Sequence, residues 1–187
     1  MLWGGNLGQL EIRAEGGATR LVARFPYGAE TELAPGRREV IAPRAFADRI
    51  AAGEEIHLLS QHDYAKPLAS TAAGTLSLRD TEDALEVRAE LDGGTSWAAD
   101  FLAAHRAGLV RGLSPGFRVA ADGERIERRG ADVLRTITRA SLFELSTVTR
   151  PAYPTAQIEA RAWELRAGDH PKLGAGDRLQ YLRRWRA

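Results

Sequence analysis

The chain has 187 residues, 44% of them hydrophobic, and carries a formal net charge of +1. That length and apolar content suffice for one substantial core, and so balanced a charge does not call for nucleic acid as a partner. With no cysteine there is no disulfide, thiolate ligand or cysteine nucleophile, and no run approaches the roughly 18 consecutive apolar residues of a membrane span.

The N-terminus, Met1-Leu2-Trp3-Gly4-Gly5-Asn6, lacks the basic-then-apolar pattern of a secretion signal, so a soluble, non-exported protein is expected. Partial alternation from Ala18 to Phe25 predicts a strand, and Arg37 to Ala42 predicts another. Pro43 suits the first turn of a short helix with Phe46 and Ile50 on one face and Gly53 at its end. Ile56 to Ser60 then reads as a strand delivering Gln61-His62-Asp63. Two strands between Gly74 and Leu91 flank Thr81-Glu82-Asp83, and the second alternates Leu85, Val87, Ala89 and Leu91 with Glu86, Arg88 and Glu90.

After the Asp92-Gly93-Gly94 loop, Thr95 or Ser96 caps a helix bearing Trp97, Phe101 and Leu102 and closed by Gly108. Leu109 to Ala121, Arg125 to Arg129 and Val133 to Val148 supply further strands, with turns at Asp122-Gly123 and Gly130-Ala131-Asp132. Pro151-Ala152-Tyr153-Pro154 ends the last one, because proline cannot donate to a ladder. Many strands with isolated helices predict an α+β domain on a β-barrel or strongly curved, mostly antiparallel sheet. The domain is placed at residues 1–160. Residues 161–187 are read as a glycine- and proline-bearing linker and a basic helix capped by Asp177, with Leu179, Leu182 and Trp185 on one side. A solvated docking helix is the plain reading of this tail, and a detachable arm that binds a protein partner is the sharper one.

The chemistry-bearing residues are Ser114 in Gly112-Leu113-Ser114-Pro115-Gly116-Phe117, His62, and the acidic Glu144. A serine hydroxyl is a weak nucleophile unless an imidazole takes its proton and a third group fixes the imidazole. Ser114 lies 52 residues after His62, and Glu144 lies 30 after Ser114. The order His, Ser, acid is neither the chymotrypsin nor the subtilisin order. Taken alone, each residue has a plain reading: a turn serine, a strand-end histidine, and a glutamate whose parity between Phe143 and Leu145 puts it on a solvent face. Asp63 is a rival third member, although on an extended segment its side chain points away from that of His62. His57 and His62, five apart on one strand, would face opposite sides, so no metal site is expected and no cofactor is required.

Several motifs in order carry a resemblance. Tyr27-Gly28, Arg38-Glu39-Val40-Ile41-Ala42-Pro43-Arg44-Ala45-Phe46, Leu58-Leu59-Ser60-Gln61-His62-Asp63 and Lys66-Pro67-Leu68 resemble the first half of tailed-phage prohead proteases. Gly112 to Arg118 resembles that family's nucleophile segment, and Glu144 to Pro154 its closing motif. The resemblance implies a fold similar to that of herpesvirus assembly proteases and a capsid-maturation serine endopeptidase with His62 as base, Ser114 as nucleophile and Glu144 as third member. Because the herpesvirus enzymes use a second histidine, His105 is a more distant candidate for that place.

The implied substrates are the major capsid protein and its scaffold segment, with self-cleavage and self-association. The implied setting is the immature capsid in the host cytoplasm, with a prophage in a bacterial genome as a source of the gene. No membrane or nucleic-acid partner is implied. Two departures stand out: Pro115 removes the amide after the nucleophile, leaving Gly116, a water or Arg118 to stabilise an oxyanion, and Ala69 replaces a usual glycine. The alternatives are a non-catalytic assembly or scaffold module of the same fold and a small-molecule esterase.

Overall fold

The computed structural model of the chain describes residues 9–15 and 18–149. In chain order the elements are β1 (Gln9–Glu15), β2 (Ala18–Pro26), β3 (Thr31–Ala34), β4 (Arg37–Ile41), α1 (Ala47–Ala51), β5 (His57–Ser60), β6 (Asp63–Ser70), β7 (Leu76–Asp80), β8 (Ala84–Leu91), α2 (Ser96–Arg106), β9 (Gly112–Val119), β10 (Glu124–Arg129), β11 (Asp132–Ile137) and β12 (Ala140–Val148). The strict alternation in β8 becomes a strand with Leu85, Val87, Ala89 and Leu91 buried, held between β2 and β7.

The strands form three four-stranded sheets, ordered β1-β2-β8-β7, β10-β11-β4-β3 and β6-β5-β12-β9. The α+β expectation stands, and all pairings are antiparallel except β11 with β4 and β12 with β5. Of the two forms expected, a β-barrel or a strongly curved sheet, no closed barrel is found among the described residues: each sheet has a linear order with two edge strands. An aromatic chain crosses the core, with ring centroids 6.3 Å apart for Phe25–Tyr27, 6.2 Å for Tyr27–Phe46 and 5.3 Å for Phe46–Phe117. Phe46 has no exposed surface, a burial that stabilises by about 1.5–3 kcal/mol.

Helix α2 follows its sequence signals. The Thr95 side chain accepts from the Ala98 amide, Ala98, Phe101 and Leu102 are buried, and Gly108 has φ +72° after the last turn. Helix α1 starts later than Pro43 suggested, because Pro43 to Phe46 form turns and regular helix begins at Ala47. The predicted strand Val133 to Val148 is two strands. Both the Thr138 and Arg139 amides bond to the Gly123 carbonyl, at 2.8 and 3.1 Å, and turn the chain there.

Three strands had no sequence prediction: β1, β3 and β6. All three lie at sheet edges, where pairing is one-sided and burial leaves a weaker pattern. Pro67 interrupts the pattern of β6, yet an edge strand tolerates proline, and its carbonyl accepts from the Trp97 indole at 2.8 Å. The domain boundary at residue 160, the Pro151–Pro154 stop and the basic tail of residues 161–187 lie outside the described residues.

Candidate active site

Strand β12 lies between β5 and β9, parallel to the first and antiparallel to the second. Across the β9 ladder, Leu145 opposes Pro115 and Thr147 opposes Leu113, while Glu144 opposes Gly116 and Ser146 opposes Ser114. Directly opposed residues share a face, so Ser114, Gly116, Glu144 and Ser146 stand together on the face away from Leu145. A bulge at Phe143 sets this arrangement. Leu142 pairs with Phe117 and Glu144 with the neighbouring Gly116, so Leu142 points into the core while Glu144, two residues on, points the other way.

The parity expected for Glu144 is therefore right, but the solvent face inferred from it is not. Glu144 is 5% exposed and Ser114 is fully buried. The Glu144 side chain lies over Gly116 so closely that a Cβ there would sit 2.7 Å from its Cδ and 2.9 Å from its Cγ. Glycine at 116 is what leaves room for the carboxylate.

His62 reaches this face from a tight turn. β5 and β6 form a hairpin closed by the Ser60–Asp63 pair, leaving Gln61 and His62 as a two-residue loop with φ +56° and +61°. Left-handed backbone at both central positions marks the type I′ hairpin turn, normally filled by Asn-Gly. Non-glycine residues there cost about 1–2 kcal/mol each, and strain of this kind gathers at functional sites. Two bonds from β12 hold the turn: the Gln61 amide to the Thr147 carbonyl at 3.1 Å and the His62 amide to Ser146 Oγ at 2.9 Å.

His62 Nδ1 and Glu144 Oε1 are 2.8 Å apart. The other carboxylate oxygen, Oε2, accepts from Ser146 Oγ at 2.6 Å. His62, Ser146 and Glu144 thus close a ring of hydrogen bonds with Ser114 across the ladder. The rivals for the third place are elsewhere. Asp63 follows His62 at the start of β6, and its carboxylate is engaged locally. The Ala65 amide and the Lys66 ammonium hold its carboxyl below the usual carboxylate range. His105 Nδ1 is bonded to the Val110 carbonyl at 2.8 Å, with its ring 6.1 Å from Phe101.

His57 and His62 are not on one continuous strand, since the turn intervenes. The His57 ring meets Tyr64 edge-on, with centroids 5.7 Å apart. Partial burial and the Glu144 charge push the Tyr64 hydroxyl up. Around the bulge, the Arg49 and Arg118 guanidiniums lie 4.3 and 5.6 Å from the Phe143 ring centroid. Among the described residues no group of three or more acidic or histidine side chains stands ready to hold a metal ion.

Sequence reasoning did not single out Ser146 or the role of Gly116. Ser146 lies two residues beyond Glu144, the spacing that keeps both on one face of a strand, and that was the one legible signal. The need for glycine at 116 appears only once the Glu144 side chain is placed over it.

Comparison with known proteins bears on the family of the chain. The model of the caudovirus prohead serine protease family matches residues 12–171. Over 84 residues the chain is 42% identical to the prohead protease of Enterobacteria phage HK97, an alignment taking in 45% of this chain and 36% of that protein. The chain thus matches little more than a third of that relative's length. No solved structure matches the chain. With a family match that spans most of the sequence, this chain belongs to the caudovirus prohead serine proteases.

Proposed function

We propose that this chain is a serine endopeptidase in which Ser114 attacks the scissile carbonyl, His62 is the general base and Glu144 orients it. The observation that carries this reading is the place of Ser114, directly across the ladder from Ser146, whose hydroxyl is bonded to both His62 and Glu144. Opposed residues on one face have Cβ atoms about 4.5–5.5 Å apart, so the nucleophile stands within a side chain's length of the pair.

An ionised Glu144 only accepts, so its bond to His62 puts the ring proton on Nδ1 and leaves the Nε2 lone pair for the serine. Nε2 takes the Ser114 proton as Oγ bonds to the carbonyl carbon. It returns that proton to the leaving amine as the peptide C–N bond breaks, and the resulting acyl-enzyme is released by a water that His62 activates. Glu144 stays ionised and stabilises the imidazolium. Pro115 has no amide to offer the oxyanion. Arg118 lies four residues on, about 13 Å along an extended strand, with its guanidinium over Phe143. The Gly116 amide or a bound water is the better donor.

The substrates on this reading are the major capsid protein and its scaffold segment, cut inside the immature capsid in the host cytoplasm, with self-cleavage and self-association accompanying. A prophage is one source of such a chain. Kinship of fold with herpesvirus assembly proteases belongs to the same proposal, with Glu144 in place of their second histidine.

A second reading, a non-catalytic assembly module, draws on two observations: Pro115 and the complete burial of Ser114. Co-expression with the major capsid protein, read by intact mass, separates the two. A defined capsid-protein truncation that disappears in both Ser114→Ala and His62→Ala is expected. Identical masses in wild type and variants would replace the protease with the assembly module.

A further inference from the structure

Ser146 touches both halves of the His62–Glu144 pair. Its single proton goes to Glu144 Oε2 at 2.6 Å, and a lone pair accepts the His62 amide at 2.9 Å. With its proton committed to a carboxylate and its contact with His62 made to the main chain, Ser146 is not set up as a nucleophile.

We propose that Ser146 is a positioning residue of the catalytic site, locking the His62 turn and the Glu144 carboxylate to each other. This rests on the triad reading given above.

Three features carry it. Glu144 is buried and has two oxygens to satisfy. His62 Nδ1 occupies one and Ser146 the other, so the carboxylate has no spare oxygen that would let it rotate at small cost. His62 is held in a left-handed conformation at φ +61°, and its amide bond to Ser146 Oγ is one of the two main-chain ties that keep the turn over β12. Finally, Ser146 is fully buried, so water does not stand in for its hydroxyl as it would at a surface. Replacing it by alanine leaves both the His62 amide and Glu144 Oε2 short of a partner at once. The ring then loses its fixed tautomer and its aim at Ser114, without loss of any group that contacts substrate.

The test compares Ser146→Ala and Ser146→Thr with wild type on purified major capsid protein, with Ser114→Ala and His62→Ala in parallel. Ser146→Ala is expected to lower kcat about tenfold to a hundredfold, as for a small misplacement of a catalytic group, with KM little changed. Ser146→Thr, which keeps the hydroxyl, is expected to recover most of that loss.

Nitrogen NMR of the four histidines, assigned with His62→Ala, is expected to give one Nδ1-protonated tautomer for His62 in wild type and a mixture in Ser146→Ala. Should alanine prevent folding, Ser146→Cys, of similar size but a weak donor, is read the same way. Wild-type kcat, or a single unchanged tautomer in the alanine or cysteine variant, would overturn the assignment. If Ser114→Ala and His62→Ala are inactive while Ser146→Ala is not, only Ser146 loses its role; if all cleave like wild type, the triad falls with it.

Discussion

Gly116→Ala is the sharpest probe of the site, because it adds one methyl group and removes nothing. Gly116 is not in left-handed backbone, so alanine is allowed at this φ and the effect is steric. The new Cβ would lie 2.7 Å from Glu144 Cδ and 2.9 Å from Cγ, whereas carbon atoms rest about 3.5–4.0 Å apart. The carboxylate has to retreat by roughly 1 Å to restore that spacing. Its Oε1 is the atom 2.8 Å from His62 Nδ1, and a retreat of that size breaks the bond.

A misplacement of about 1 Å costs on the order of a hundredfold in rate, and full loss of the orienting carboxylate about ten-thousandfold in the serine-protease template. The expected fall in kcat on capsid protein lies between those limits. Overpacking and the weakened bonds to a buried carboxylate together cost roughly 2–4 kcal/mol of stability, read by chemical denaturation. In a Glu144→Ala background the three atoms nearest the new methyl group are gone, so the two effects are expected to be strongly non-additive. Wild-type turnover in Gly116→Ala would refute the placement of Glu144 over Gly116, and with it the argument for its bond to His62.

Two further predictions concern charges away from the site. The Tyr27 hydroxyl donates to Asp80 Oδ1 at 2.7 Å, but Oδ2 is buried without a partner, and burial above all pushes the Asp80 carboxyl up. The folded chain therefore holds this proton more tightly than the unfolded one, so its contribution to stability is complete below the ordinary aspartate range and lost as pH rises through the folded value. Asp80→Asn keeps an acceptor for Tyr27 and is expected to gain in melting temperature relative to wild type between about pH 3 and pH 7; a gap that stays constant or narrows would contradict this. Arg135, 6% exposed at its side chain, bridges Glu39 at 3.3 Å and Glu124 at 2.5 Å. Arg135→Ala removes the cation that bridges the buried Glu39 to Glu124 and is expected to cost about 3–5 kcal/mol in urea denaturation, whereas the exposed Arg129→Ala should barely move the midpoint; equal effects would refute the distinction.

Local signals were enough where one residue's neighbours in sequence are also its neighbours in space. The alternation of β8, the Thr95 cap and Gly108 stop of α2, and the delivery of His62 at the end of β5 could all be read directly, because each depends on a period or a cap within a few residues. The ordered motifs around His62, Ser114 and Glu144 also identified the family. What sequence could not supply was which surface each strand has covered. Edge strands β1, β3 and β6 left weak patterns, and Glu144 looked solvent-facing between Phe143 and Leu145. Its burial comes from a turn 82 residues earlier in the chain, folded over β12 by ties from His62 and Gln61. The bulge at Phe143, the absent side chain at Gly116 and the hydroxyl of Ser146 matter only once β5, β12 and β9 lie side by side, since a strand's own sequence specifies its two faces but not what will be packed against them.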